Sequence, residues 1–259
     1  MNKIEIKVLN PGAVAEAEKM MVCAARLTQR GHSIKTMSDF MALYEKDYKP
    51  ETVEAMANLP HPTMQKFGVI NIVVVGASRR FLTQITRHQN EVKFMSASLQ
   101  YSDYSNSATT TDFVVPYNLL DNPNRTTYLS QCKSLMENYK LLVEHGLDND
   151  SAGYLAPQSL RNILIISATP YQWKHMISQR VCRRNTNETR YVMLKIWEAL
   201  YKLSPAMFSC GPFCMSGTCQ EGKMTCGARL DKHMTPTDII NIDFPLLTKI
   251  KENNDGSIS

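Results

Sequence analysis

Three stretches of the 259-residue sequence predict an α/β fold, a central mixed sheet flanked by helices. Residues 67–75, FGVINIVVV, are β-branched and almost wholly apolar, the composition of a strand buried on both faces. Residues 162–168, NILIISA, predict a second such strand, and a helical pattern follows each of them. Residues 128–145 carry Leu129, Cys132, Leu135, Met136, Tyr139, Leu142 and Val143 at spacings of three and four, which predicts an amphipathic helix.

The remaining elements follow in order. Residues 3–8 alternate as an edge strand does and stop at the turn Asn10-Pro11-Gly12. Over 13–27, Val14, Met20, Met21, Ala24 and Ala25 recur at helical spacing, and Phe40, Met41 and Tyr44 mark a second helix over 37–44. Pro60 and Pro62 force a turn at 59–63. Ser78 is placed to cap a helix running through Arg87, with Phe81, Leu82 and Ile85 on its apolar side. Residues 103–126, rich in Ser, Thr, Asn, Asp and Pro, read as a long loop. Thr169-Pro170 opens the helix that carries Trp173, Met176 and Ile177 to Arg180. Another helix spans 187–203, turning Val192, Met193, Ile196, Trp197 and Leu200 inward. The expected organisation is one domain over 1–204, with a Cys-rich loop and polar tail, 205–259, packed on it.

Apolar residues make up 43% of the chain and charged ones 20%, as in a folded water-soluble protein. No run of 18 apolar residues predicts a membrane span, and MNKIEIKVLN lacks a signal core, so a cytoplasmic protein is expected. The net charge of +5 suits an anionic small ligand; no basic arm, RNP motif or zinc-finger pattern points to nucleic acid. No P-loop, GxGxxG or GxSxG motif is present either.

Four features carry candidate chemistry. Arg87-His88, with Gln84 one turn earlier and Ser96 and Ser98 after it, is either a solvated helix end or a phosphate-binding corner, since Arg, His and Ser supply the donors such a corner needs. Arg180 closes an apolar helix that also offers His175, in a charged run that would equally suit an exposed face. His61-Pro62-Thr63 precedes the first buried strand; alone it reads as an ordinary loop histidine. Cys210, Cys214, Cys219 and Cys226 lie in a Gly-rich loop, either as zinc ligands or as packed free thiols; their gaps are not those of paired CxxC knuckles.

Taken in order, these pieces resemble the flavin-dependent thymidylate synthases, and within them the Cys-tailed forms found in many anaerobic bacteria. The matching residues are His61-x-Thr63, then Gln84-x-x-Arg87-His88 and Ser98-x-x-Tyr101. Arg180-x-Cys182-x-Arg184-x-x-x-Glu188-x-Arg190 and Gly211-Pro212-x-Cys214, followed by Glu221-Gly222-Lys223-Met224-Thr225-Cys226-Gly227, complete the set. The resemblance runs from about Ala24 to Gly227. It implies a homotetramer with FAD at the subunit junctions. NADPH would reduce the flavin, and methylenetetrahydrofolate would supply the one-carbon unit delivered to C5 of dUMP. It further implies that His61, Thr63, Arg87, His88, Gln89 and His175 hold the flavin, and that Gln84, Ser96, Ser98 and Gln100 face the nucleotide. Arg180 would bind the pyrimidine and favour its anion, because a guanidinium stays protonated at any working pH.

The chain departs from the family pattern where cations are expected. Gln89 replaces the last Arg of Arg-His-Arg, Gln100 replaces the Arg of Ser-x-Arg-Tyr, and Gly153 stands where a nucleotide-binding Arg is expected. Each charge-assisted bond is worth roughly 1.5–3 kcal/mol. Losing two at the nucleotide would weaken dUMP on the order of a hundredfold or more, unless Lys93 or Arg161 replaces them. The departures leave two alternatives beside thymidylate synthesis: a related hydroxymethylase acting at C5 of a pyrimidine nucleotide, and a catalytically weakened flavin-binding or structural homologue.

Overall fold

A computed structural model describes residues 3–217 and 219–248. Four strands, β1 (Glu5–Val8), β2 (Ile70–Ser78), β3 (Val92–Ser96) and β4 (Arg161–Ala168), form one sheet in the order β1-β2-β4-β3. Helix α1 (Gly12–Arg30) follows β1, and α2 (Met37–Tyr44) and α3 (Pro50–Ala57) precede β2. Helix α4 (Arg79–Ile85) joins β2 to β3, and α5 (Arg125–Glu144) and α6 (Asn149–Ala152) lie between β3 and β4. Helices α7 (Pro170–Arg180), α8 (Asn187–Leu203) and α9 (Pro236–Asp243) complete the order.

The sheet is antiparallel at every pairing, not mixed as the strand–helix succession suggested. The reason is topological. Strands β2 and β3 run the same way around α4, but β4 inserts between them and opposes both. Two strands of the same direction are thus split by a strand that arrives about 65 residues later, counted from Ser96 to Arg161.

The strands are not buried on both faces. Ile70, Ile72, Val74, Leu164 and Ile166 point into the core, whereas Val75, Ile163, Ile165 and Met95 are 40%, 46%, 41% and 73% exposed. Pairing sets Val75 opposite Ile163, Val73 opposite Ile165 and Met95 opposite Ile165, so these side chains form one continuous apolar outer face. The alternation was invisible in the sequence because both faces are apolar.

Helix α8 is the spine of the core: Val192, Met193, Ile196, Trp197 and Leu200 are all buried. Both buried indoles have acceptors, Trp197 Nε1 donating to the Phe208 carbonyl at 3.0 Å and Trp173 Nε1 to that of Ile70 at 3.1 Å. Met207, Phe208, Met215, Leu230, Ile239, Phe244 and Leu247 join the same cluster, so residues after 204 are built into the core. Helix α9, opened by a Thr235–Asp238 capping box, lies in what reads as a polar tail; residues 249–259 of that tail lie outside those described. A second, smaller cluster (Phe113, Cys132, Met136, Tyr139, Ala152, Leu160) packs beneath α5. Leu135 and Leu142 on that helix stay 37% exposed. No helix among the described residues is long and apolar enough to cross a membrane.

Candidate active site

Two strand–helix units converge on the site. Ser78 caps α4 by accepting from the Phe81 N–H at 3.1 Å; the helix stops at Ile85, earlier than the sequence pattern suggests, and leaves Arg87 and His88 on the segment leading to β3. Thr169 caps α7 in the same way, accepting from the Gln172 N–H at 3.3 Å, and α7 ends on Arg180. The two segments meet where Arg180 Nε donates to His88 Nε2 at 2.8 Å. Arg180 Nη1 reaches Asn185 Oδ1 at 3.4 Å, and Asn185 Nδ2 donates back to the Gln179 carbonyl at 2.7 Å, which fixes the guanidinium plane.

A row of rings extends from this pair. His88 meets His175 edge-on with centroids 6.1 Å apart, and Tyr171 stacks on His175 at 6.5 Å. Lys66 lies over the Tyr171 ring at 5.2 Å and pairs with Glu91 at 2.6 Å, a carboxylate that also accepts from Thr169 Oγ1 at 2.9 Å. The turn Pro62–Lys66 packs against α7 and brings Thr63 to this side of the molecule, although Thr63 and His61 are exposed.

The electrostatics are those of a cationic spot. Burial, then Arg180, then His175 push His88 down to about 4, so the imidazole is neutral and its Nε2 can accept. Burial also lowers His175. Arg180 is lowered by burial and then by the neighbouring Arg87. Among the described residues no carboxylate pairs with Arg87 or Arg180.

The remaining sequence candidates are not gathered so tightly. Among the described residues none of Gln84, Ser96, Ser98 and Gln100 hydrogen-bonds to the Arg180–His88 pair. Ser96 ends β3, while Ser98 Oγ accepts from the N–H groups of Gln100 (3.1 Å) and Tyr101 (3.4 Å), capping its own turn. Gln89 is exposed. Arg161 does not stand in for a missing cation: it donates to the carbonyls of Gly76 at 2.5 Å and Thr111 at 2.8 Å. Lys93 is exposed on β3. Gly153 lies beneath Leu99, so close that an added Cβ would sit 3.2 Å from the Leu99 Cβ.

Sequence reasoning missed Asn185 and the clamp behind it. Asp243 of α9 binds Arg183 through both oxygens (2.7 and 3.2 Å) and also pairs with Arg190, whose Nε donates to the Val181 carbonyl at 3.2 Å. Arg190 also lies over the Phe244 ring at 5.3 Å. Glu188 is likewise structural, accepting from the Ser78 N–H at 2.7 Å and its hydroxyl at 2.5 Å. The only available signal was the density of charges between 180 and 190; their partner lies over 50 residues on, counted from Arg190 to Asp243.

Beside Arg180 opens a cavity of about 450 Å³ between the 179–185 segment and the Cys-rich loop. Its walls include Cys214, Cys219 and Cys226 but not Cys210, which packs against the main core and whose thiol burial pushes up to about 12. Cys214 touches the same core. As placed, no three His, Cys, Asp or Glu side chains among the described residues stand close enough to share a metal ion.

Comparison with known proteins supplies the family. The model of the thymidylate synthase complementing protein family matches residues 12–206. The flavin-dependent thymidylate synthase of Geobacter sulfurreducens is 23% identical over 177 residues, 68% of this chain and 75% of that protein. The enzyme of the same name from Clostridium tetani is 22% identical over 231 residues, 81% of this chain and 88% of the relative. Among solved structures, thymidylate synthase X from Helicobacter pylori, with FAD and dUMP, superposes with a TM-score of 0.61 at 18% identity, covering 79% of this chain and 97% of that one. The UMP/dUMP methylase PolB from Streptomyces cacaoi, bound with 5-Br dUMP, gives 0.59 at 14% identity, covering 80% and 93%. With its fold shared and three-quarters of its length matched by the family model, the chain belongs to the thymidylate synthase complementing protein family.

Proposed function

We propose that this protein is a flavin-dependent thymidylate synthase that methylates dUMP at C5, using FAD, NADPH and methylenetetrahydrofolate. The observation that carries the reading is the uncompensated pair of guanidiniums, Arg87 and Arg180, set against two neutral imidazoles. Such a spot suits an anionic, planar ligand: it offers fixed positive charge, ring edges at His88 and His175, and a stacking face at Tyr171. FAD and a pyrimidine nucleotide both have that chemistry, so the residues present fit them. Bound FAD would carry the one-carbon unit and supply the hydride.

The chain's own contribution is orientation and charge. Arg180, held by His88 and Asn185, presents its remaining donors in a fixed plane to a pyrimidine edge and stabilises the ring anion, raising electron density at C5. Arg87, His88, His175 and Thr63, with His61 and Gln89 at the rim, would hold the flavin. Gln84, Ser96, Ser98 and Gln100 would face the nucleotide. The similarity to PolB argues for methyl transfer over the hydroxymethyl alternative.

A homotetramer belongs to the same proposal. The outer face of Val75, Ile163, Ile165 and Met95 is apolar and exposed in one protomer, as a subunit-covered face would be. A neighbouring subunit could also bring cations to the nucleotide. The domain reading is one unit over 1–204 with the later residues packed on it, in line with their place in the main core.

The test is direct. Purified protein should carry FAD and convert dUMP to dTMP only with NADPH and methylenetetrahydrofolate. Hydroxymethylated product, or activity on dCMP alone, would replace this reading; a flavin-free, inactive protein would end it.

A further inference from the structure

We infer that Glu91 is a positioning residue of the proposed flavin site, locking three segments into one frame: the Pro62–Lys66 turn, the stretch that carries Arg87 and His88, and the start of α7. The inference rests on the reading of that site given above and adds to it a residue that acts through others.

Glu91 sits where the three segments meet. Its Oε1 pairs with Lys66 Nζ at 2.6 Å, and its Oε2 accepts from Thr169 Oγ1 at 2.9 Å. Its backbone carbonyl accepts from the Thr169 N–H at 3.4 Å. Glu91 and Thr169 stand just past the last ladder pair, Val92 opposite Ala168, so these bonds carry the pairing from the sheet into the site. Thr169 caps α7, and two residues further on Tyr171 begins the row of rings. Lys66 lies over the Tyr171 ring at 5.2 Å, Tyr171 stacks on His175, and His175 meets His88 edge-on. The carboxylate thus ties the turn of Thr63 and the near end of the ring row to the stretch that holds His88, three residues before it.

The backbone shows that stability does not explain this arrangement. Glu91 has φ of 55° and is the one non-glycine residue with positive φ among the described residues. That region of backbone space costs free energy for a side chain with a Cβ, a cost that glycine escapes. The ion pair returns little: the side chains of Glu91 and Lys66 are 30% and 38% exposed, and pairs in such a setting add little to folding. A strained residue kept for a weak, solvent-facing pair is accounted for by what the pair holds in place beside the Arg180–His88 contact.

The test sets stability against flavin affinity in the full chain. Glu91→Gly removes the carboxylate and the strain of positive φ together. In urea without added FAD it should be as stable as the unaltered protein or more so. Its dissociation constant for FAD, read by flavin fluorescence, should nevertheless rise by on the order of tenfold or more, because the ligand-holding groups are misplaced. Glu91→Gln keeps an acceptor for Thr169 but loses the charge opposite Lys66, and Lys66→Met breaks the same pair from the other side. Each should weaken FAD less than Glu91→Gly does, and combining them should add nothing. A residue that served only the fold would lose stability and affinity in step. That result, failure of Glu91→Gly to fold, or additive losses in the double variant overturns the inference. If the unaltered protein takes up no FAD, the reading of the site falls and this inference with it. If the unaltered protein binds FAD and Glu91→Gly binds it equally well, Glu91 alone loses its role.

Discussion

Arg180 donates from Nε to Nε2 of His88 at 2.8 Å, joining the end of α7 to the segment after α4 across 92 positions of sequence. A neutral imidazole accepts this bond; a protonated one would have no lone pair to offer and would repel the guanidinium. The contact therefore depends on His88 staying uncharged, which its burial secures. Arg180 in turn is left with free donors and no carboxylate among the described residues to consume them.

From that pairing follows the behaviour of Arg180→Lys. Lysine keeps the charge but loses the planar fork and the bond from Nε. Turnover with dUMP should fall by roughly two to three orders of magnitude, the usual loss for one preorganised donor, with fold and bound flavin intact. Steady-state kinetics with flavin quantified per chain checks it; near-normal turnover would remove Arg180 from the chemistry.

His88 also sets a pH dependence. Its folded value of about 4 lies below the unfolded histidine value of roughly 6.5. Between these values the unfolded chain binds the extra proton, so the stabilisation is complete above about pH 6.5 and is lost as pH falls towards 4. The size is up to roughly 3 kcal/mol. Urea unfolding across that window should show a shallower pH slope for His88→Gln than for the unaltered protein.

How far the sequence could be read depended on the distance between partners. Thr169 and Ser78 were legible as caps because each acts three residues along its own helix. Residues 37–44 and 187–203 emerged as helices because their apolar stripes are local. The exposed face of Val75, Ile163 and Ile165 was not legible, since a strand apolar on both sides gives no alternation to read. Strand β3 was hidden by its short length and by Lys93 and Ser96. At the site, Arg180, His88 and His175 were picked out by residue type and do converge. Asn185 and Asp243 were not, because nothing in a polar loop or a distant short helix announces which arginine it will hold.

Asp243 should be the more consequential of these two for stability. It neutralises Arg183 and the buried Arg190 from a helix that the family model's match, ending at residue 206, does not reach. Asp243→Ala leaves a buried guanidinium unpaired, which costs about 3–5 kcal/mol when a buried pair is broken this way. Thermal or urea denaturation should show that loss. Because Arg190 holds the Val181 carbonyl, turnover should fall as well, more than flavin content does.

The last expectation concerns Gly153, where the family resemblance places an arginine. The glycine is buried, and a Cβ there would press to 3.2 Å against the Leu99 Cβ. Leu99 lies within Ser98-Leu99-Gln100, the segment that has also lost its cation. Leu99 fills the space that a side chain at 153 would need. Gly153→Arg alone should destabilise the protein by roughly 1–3 kcal/mol through overpacking and gain nothing in nucleotide binding. Gly153→Arg combined with Leu99→Ala removes the clash. If dUMP is the substrate, the restored guanidinium should lower its KM by on the order of tenfold or more, the value of one charge-assisted phosphate bond. An unchanged KM in a well-folded double variant would show that the nucleotide phosphate is held elsewhere.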